Sequence, residues 1–143
     1  MLIGIPNIIS PELLKILMEM GHGDEIMIGD GNYPAVTHAK RLVRCDGHGV
    51  PELLEAILQL FPLDDFVDKP IAMMAVAQGT STPTPVIWQT FERILHEHGH
   101  QPDKIEYMER FAFYDRAKEA FAIVATGESA LYANILLKKG VIR

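Results

Sequence analysis

A histidine stands between two glycines in Gly21-His22-Gly23-Asp24. Imidazole ordinarily titrates near neutrality, so such a residue can both donate and accept a proton at working pH. The flanking glycines let the chain take unusual backbone angles and project the ring into a cleft. The same residues also fit a helix C-cap with an exposed histidine beside it. A second group is Asp30, within Gly29-Asp30-Gly31-Asn32-Tyr33-Pro34. Its carboxylate can accept two ligand hydroxyls, and Tyr33 could cover an apolar ligand face; an ordinary turn uses the same residue types. A third is Arg110-Phe111-Ala112-Phe113-Tyr114. It offers a rigid guanidinium fork and a phenol, unless Phe111 and Phe113 are core and Arg110 is a solvated boundary residue. The fourth is Leu131-Tyr132-Ala133-Asn134, after the turn Gly127-Glu128-Ser129. Asn134 can donate and accept at once, which suits adjacent hydroxyls; the plainer reading is a loop entering the last strand.

Other chemistries find less support. His96-Glu97-His98-Gly99-His100 matches the zinc-protease pattern H-E-x-x-H. That chemistry needs both outer histidines on one face of a continuous helix. Gly99 lies inside the motif and Pro102 follows, so the helix is expected to end before His100. The chain contains no Walker loop, no G-x-G-x-x-G and no G-x-S-x-G. The lone cysteine, Cys45, excludes an internal disulfide and a Cys-rich zinc site, and its alternating apolar setting suits a buried small residue. A net charge of −6 argues against nucleic acid or an anionic membrane surface as partner. No apolar run reaches the roughly 18–20 residues of a membrane span, and the N-terminus lacks the basic start of a signal peptide. A cytoplasmic protein is expected.

The 143 residues, 48% of them apolar, suffice for one domain with one core. Ser10-Pro11 opens a helix carrying Leu13, Leu14, Leu17 and Met18 at helical spacing, stopped by Gly21. Strands are expected at Glu25 to Ile28, Leu42 to Cys45, Ile71 to Ala77, Lys104 to Met108, Phe121 to Thr126 and Asn134 to Leu137. Further helices are expected at Pro51 to Phe61, Val86 to His96 and Phe113 to Ala120, with a polar loop from Gln78 to Pro85. Helices alternating with strands predict a layered α/β fold; strand order does not follow from the pattern.

Taken in order, these segments resemble the L-fucose mutarotase family, which shares a superfamily with the D-ribose pyranases. Ile9-Ser10-Pro11-Glu12-Leu13-Leu14, then Gly21-His22-Gly23-Asp24-Glu25-Ile26, is similar to the family's opening. Asn32-Tyr33-Pro34-Ala35 resembles its loop, where phenylalanine is more usual than tyrosine. Arg44-Cys45-Asp46-Gly47 is close to a family Arg-Ala-Asp-Gly. Arg110 to Tyr114 and Lys118 to Val124 look like the fucose branch. One departure is Tyr132-Ala133-Asn134, where fucose mutarotases usually read Tyr-Gly-Asn and ribose pyranases Tyr-Ala-Asn. If residue 133 needed a positive φ, alanine would cost about 1 kcal/mol; an ordinary angle is the expectation.

The resemblance implies a three-layer α/β/α domain over residues 1–143 with a mixed central sheet. It implies a homo-oligomer such as a decameric ring, with sites near subunit contacts. It also implies a catalytic His22 and sugar contacts from Asp30, Arg110 and Tyr132-Ala133-Asn134. The reaction would be anomer exchange of a reducing monosaccharide, L-fucose foremost, through the open aldehyde. That chemistry needs one proton onto the ring oxygen and one off the anomeric hydroxyl, and no metal or other cofactor. His22 is expected to supply the first proton; Tyr114, Tyr132 or a water would relay the second. The alternatives are a D-ribose pyranase, a non-catalytic monosaccharide-binding protein, and a histidine-dependent metalloprotein built on His96 and His100.

Overall fold

Six strands form one mixed sheet in the computed structural model, which describes residues 1–143. They are β1 (Glu25–Gly29), β2 (Leu42–Cys45), β3 (Ile71–Met74), β4 (Ile105–Met108), β5 (Ala122–Thr126) and β6 (Ile135–Lys138). Their spatial order is β2-β5-β1-β6-β3-β4. Strand β6 runs antiparallel to its neighbours β1 and β3, and every other pairing is parallel.

Alternation along each strand decides which layer a side chain joins. Ile26 and Ile28 belong to the larger apolar cluster, with Leu13 and Leu17 of α1 (Pro11–Glu19), Leu53 and Leu54 of α3 (Val50–Leu58) and Phe91 of α4 (Ile87–Glu97). Met27, between them, joins the smaller cluster with Ala35 of α2 (Ala35–His38) and Phe113 of α5 (Arg110–Glu119). Helices cover both faces, giving the expected three-layer α/β/α arrangement. Strand β3 is buried at every position, with Ile71 and Met73 in one cluster and Ala72 and Met74 in the other.

Local chemistry sets the boundaries. The Ser10 hydroxyl oxygen accepts from the Leu13 amide at 3.1 Å and starts α1. Helix α4 ends at Glu97, and Gly99 takes φ +86°, so His96 and His100 do not share a helix. Two elements differ from expectation. Helix α5 begins at Arg110 rather than Phe113, because a Glu109 carboxylate oxygen accepts from the amides of Phe111 (2.9 Å) and Ala112 (3.1 Å). Strand β3 stops at Met74 rather than Ala77, although the Ala75 amide still reaches the Met108 carbonyl at 2.7 Å. The short helix α2 had no signal in the apolar pattern, since four residues cannot display a helical period.

Strand direction then decides which residues meet. The parallel strands deliver their C-terminal ends to one edge of the sheet, and the reversed β6 begins there. Asp30 after β1, Ala75 after β3, Arg110 after β4 and Asn134 before β6 therefore converge. This is where open α/β sheets place ligands. His22 before β1, Asp64 ahead of β3 and Lys139 after β6 lie at the opposite edge.

Candidate functional site

A cleft of about 230 Å³ opens at the first edge, lined by Asp30, Tyr33, Arg110, Tyr114, Tyr132 and Asn134, among others. Through Arg110 and Tyr132 it adjoins a larger hollow of about 570 Å³, whose walls include Ala75, Val76, Gln78 and Phe111. Four of the five expected sugar-contact residues, Tyr132 among them, are thus gathered here with the other candidate tyrosine, Tyr114.

Asp30 is buried, and each carboxylate oxygen already has a backbone partner. Oδ1 accepts from the Asn32 amide at 3.0 Å, and Oδ2 from the Ala133 amide at 3.4 Å. The Asp30 amide donates to Oδ1 of Asn134 at 2.8 Å. This ties the end of β1 to the start of β6 and orients the Asn134 side chain, leaving its NH₂ free for a ligand acceptor. Burial pushes the Asp30 carboxyl above the ordinary carboxylate range, opposed by hydrogen bonds from Asn32, Ala133, Tyr33 and Asn134.

Tyr132 has φ 57°, the single non-glycine residue with a positive φ. A left-handed angle costs a residue with a Cβ roughly 1–2 kcal/mol, and strain of this kind concentrates at working sites. Two hydrogen bonds hold it: the Trp88 indole donates to the Tyr132 carbonyl at 2.8 Å, and the Ala77 amide to its hydroxyl at 3.5 Å. The ordinary angle expected at Ala133 is found, since the positive φ falls one residue earlier; Ala133 is fully buried in the larger core cluster.

Arg110 sits on the first turn of α5, and its Nε donates to the Tyr114 hydroxyl oxygen at 3.2 Å. Its guanidinium lies 5.2 Å from the Tyr114 ring centroid and 5.3 Å from that of Phe111. Phe113 is core, as one reading had it, whereas Phe111 is 64% exposed at the mouth of the larger hollow. Tyr33 is not an open platform for a sugar face. It is buried, edge-on to Tyr114, with its hydroxyl 2.9 Å from Nδ1 of His38.

His22 stands apart from all of these. Between it and Asp30 runs the whole of β1, about 17 Å of strand at roughly 3.3–3.4 Å per residue. The sequence carried that signal: a histidine just before a strand and an aspartate just after it cannot meet within one chain. His22 instead contacts Asp64, Nε2 to Oδ1 at 3.1 Å, and its ring leans on Phe66 with centroids 5.1 Å apart. Asp64 is buried, and Oδ1 also accepts from the Phe66 amide at 3.1 Å. Burial alone would raise the Asp64 carboxyl, but the Phe66 amide and the His22 ring outweigh it and hold the group below the ordinary range. Asp64 has no signal in the sequence because 42 residues separate it from His22, in a Leu63-Asp64-Asp65 stretch with no marked pattern.

The histidine-rich segment shows other bonding. His98 Nε2 lies 3.0 Å from a Glu55 carboxylate oxygen, and no group of three or more His, Cys, Asp or Glu side chains could hold a metal ion. Cys45 is buried, and burial pushes its thiol pKa up, as suits a packing residue. No helix is long and apolar enough to cross a membrane.

Comparison with known proteins bears on this arrangement. A sequence profile of the RbsD / FucU transport protein family matches residues 3–142. The chain is 50% identical over 141 residues to the L-fucose mutarotase of Actinobacillus pleuropneumoniae serotype 5b, spanning 99% of this chain and 97% of that protein. It is 47% identical over 147 residues to the fucose mutarotase of Homo sapiens, spanning 97% and 93% respectively. Among solved structures, the fucose mutarotase of Streptococcus pneumoniae in complex with L-fucose superposes with a TM-score of 0.95. It shares 54% identity, covering 99% of this chain and 100% of that one.

Proposed function

The chain belongs to the RbsD / FucU transport protein family, and from that premise we propose how the cleft and the distant histidine together interconvert sugar anomers. The activity is that of an isomerase of the racemase and epimerase class, exchanging the α and β anomers of L-fucose. The observation that carries the mechanism is the split itself: hydroxyl-binding groups at one sheet edge, a carboxylate-backed imidazole at the other.

Asp64 is ionised and can only accept, so Nε2 of His22 donates to it and Nδ1 is the working nitrogen. In the imidazolium form, Nδ1–H gives its proton to the sugar ring oxygen while Asp64 stabilises the positive ring, as carboxylates do for catalytic histidines. The proton of the anomeric hydroxyl leaves by relay through Tyr114, Tyr132 or a water, which takes it up as it passes its own proton on to solvent. The bond from C1 to the ring oxygen breaks and C1 becomes an aldehyde. Rotation about C1–C2 presents its other face, and the reverse proton transfers close the ring. Asp30, Arg110 and Asn134 hold hydroxyls away from C1 and leave that carbon free to turn. Ala75, Val76 and Phe111 supply an apolar wall suited to the methyl group of fucose.

His22 reaches the cleft from a second copy of the chain. Phe66 and Val67 are exposed beside His22, and Phe111 and Leu131 are exposed at the cleft, so each end offers apolar surface to the other. Such a head-to-tail contact joins two different surfaces and closes into a ring when the rotation permits. A homo-oligomeric ring of single-domain chains, working in the cytoplasm on a monosaccharide, is the form this implies.

The test is anomer exchange at equilibrium by NMR, with L-fucose and D-ribose each supplied in turn. Faster exchange between the α and β signals of fucose, absent in His22→Ala, is expected. Acceleration confined to the pyranose and furanose signals of ribose would replace the fucose reading, and binding without acceleration would leave a sugar-binding protein.

A further inference from the structure

One histidine near the cleft has no part in the scheme above. His38 ends the short helix α2, and Nδ1 lies 2.9 Å from the Tyr33 hydroxyl. Three rings meet edge to face at this point. Ring centroids are 5.4 Å apart for Tyr33 and His38, 5.0 Å for His38 and Tyr114, and 5.4 Å for Tyr33 and Tyr114, at interplanar angles of 82°, 69° and 89°. Phe113 backs the group with its ring edge-on to Tyr33 at 6.5 Å.

Burial, then the nearby Lys118, holds the His38 imidazole below its ordinary range, with Asp115 opposing. The ring is therefore neutral near pH 7 and one nitrogen can accept. Burial, then Tyr114, pushes the Tyr33 phenol up, so it keeps its proton and can donate it to Nδ1 in the tautomer that carries the ring proton on Nε2. Tyr114 in turn receives the Arg110 Nε–H on its oxygen at 3.2 Å, which leaves its own O–H free to point at a ligand in the cleft it lines.

We propose that His38 is a positioning residue for the anomer exchange: by accepting the Tyr33 hydroxyl it locks the three rings and fixes the Tyr114 hydroxyl toward the sugar. The proposal rests on the site reading given above. His38 touches no substrate and acts through Tyr33 and Tyr114. Removing either member of the pair has a definite consequence. In Tyr33→Phe the imidazole loses its donor and is free to turn to solvent, releasing one edge of Tyr114. In His38→Met a buried phenol is left without its acceptor and must rotate or draw in water beside Tyr114. In the double variant neither polar orphan exists and the space stays nearly filled, but the bond that locks the rings is missing as it is in each single.

The experiment measures kcat and KM for fucose anomer exchange by NMR in the wild type, both single variants and the double, with thermal melts to confirm folding. Each single variant is expected to lose about tenfold in kcat with little change in KM, because catalysis is sensitive to sub-ångström placement. The double is expected to lose about the same tenfold as each single, and not the product of the two losses, the non-additivity of a coupled pair. His38→Gln, whose amide oxygen can still accept the Tyr33 hydroxyl, should also stay within about threefold. Single variants as fast as wild type, a double restored to wild-type rate, or a double slowed by the product of the two single losses overturn the proposal while leaving the function intact. A wild-type protein that does not accelerate fucose exchange overturns the site reading itself, and this proposal with it.

Discussion

Nε2 of His22 lies 3.1 Å from Oδ1 of Asp64, an exposed imidazole resting on a buried carboxylate. The pair sits outside the cleft of its own chain, yet it has the form of an acid–base catalyst: a proton carrier open to a ligand and a fixed counter-charge behind it. His22→Ala is expected to lower kcat by about 10²–10⁴-fold, the usual contribution of general acid–base catalysis, with KM changed far less. Asp64→Asn keeps the shape and loses the charge, and is expected to lose about 10–100-fold, the size of effect seen when the carboxylate behind a metal-binding histidine is changed. Exchange rates by NMR measure both. Full kcat in Asp64→Asn would mean the carboxylate only shapes the loop.

A shared site makes a second prediction that involves no new substitution chemistry. Mix His22→Ala protein with Asn134→Ala protein under conditions that allow subunits to exchange. Each parent is expected to be impaired, but where an intact His22 faces an intact Asn134 the site is whole. Random assembly gives about a quarter of interfaces this pairing, and about a quarter of wild-type activity should return. A mixture as inactive as its parents would place both residues in one subunit's site, against the separation along β1.

How far these features could be read in the sequence depends on their range. Ser10 capping α1, the alternation that splits Ile26 and Ile28 from Met27, and the early end of α4 at Gly99 are local, and local pattern exposes them. The start of α5 was misjudged because its signal was a Glu109 side-chain cap, while the apolar residues that suggest a helix begin later. The reversal of β6 is non-local, and it alone brings Asn134 beside Asp30. Asp64 and His38 were silent for the same reason. Each matters through one partner, His22 or Tyr33, and no periodicity marks a pair.

Asp30 gives the protein a pH dependence with a definite sign. Its burial raises the carboxyl above the ordinary value, so ionising it costs more in the folded chain than in the unfolded one. Below about pH 4 both states hold the proton and there is no penalty. As pH rises, the unfolded chain loses its proton first, and stability falls until the folded carboxyl has ionised as well. Asp30→Asn escapes this. The melting temperature of the variant minus that of wild type should therefore climb from acid toward neutral pH and then level off. The same variant should lose about 10–100-fold in kcat/KM, the effect of a lost hydrogen bond to a charged group. A difference in melting temperature that is flat with pH would mean that the buried carboxylate is not strained.

The last prediction separates the two residues at the bend before β6. The left-handed angle belongs to Tyr132, φ 57°, and Ala133 is fully buried with its methyl group in the core. Ala133→Gly therefore relieves nothing. It removes a packed methyl group and adds chain freedom, and should cost about 1 kcal/mol, near 2–4 °C in melting temperature for a chain of this size. The variant should keep its preference for fucose over ribose, because the Ala133 amide still reaches Asp30 and the side chain does not line the cleft. Calorimetry and exchange NMR on the two sugars decide it. A stabilised Ala133→Gly protein would mean that alanine is the strained residue, and a switch in sugar preference would mean that its methyl group acts on the substrate through the Tyr132 ring.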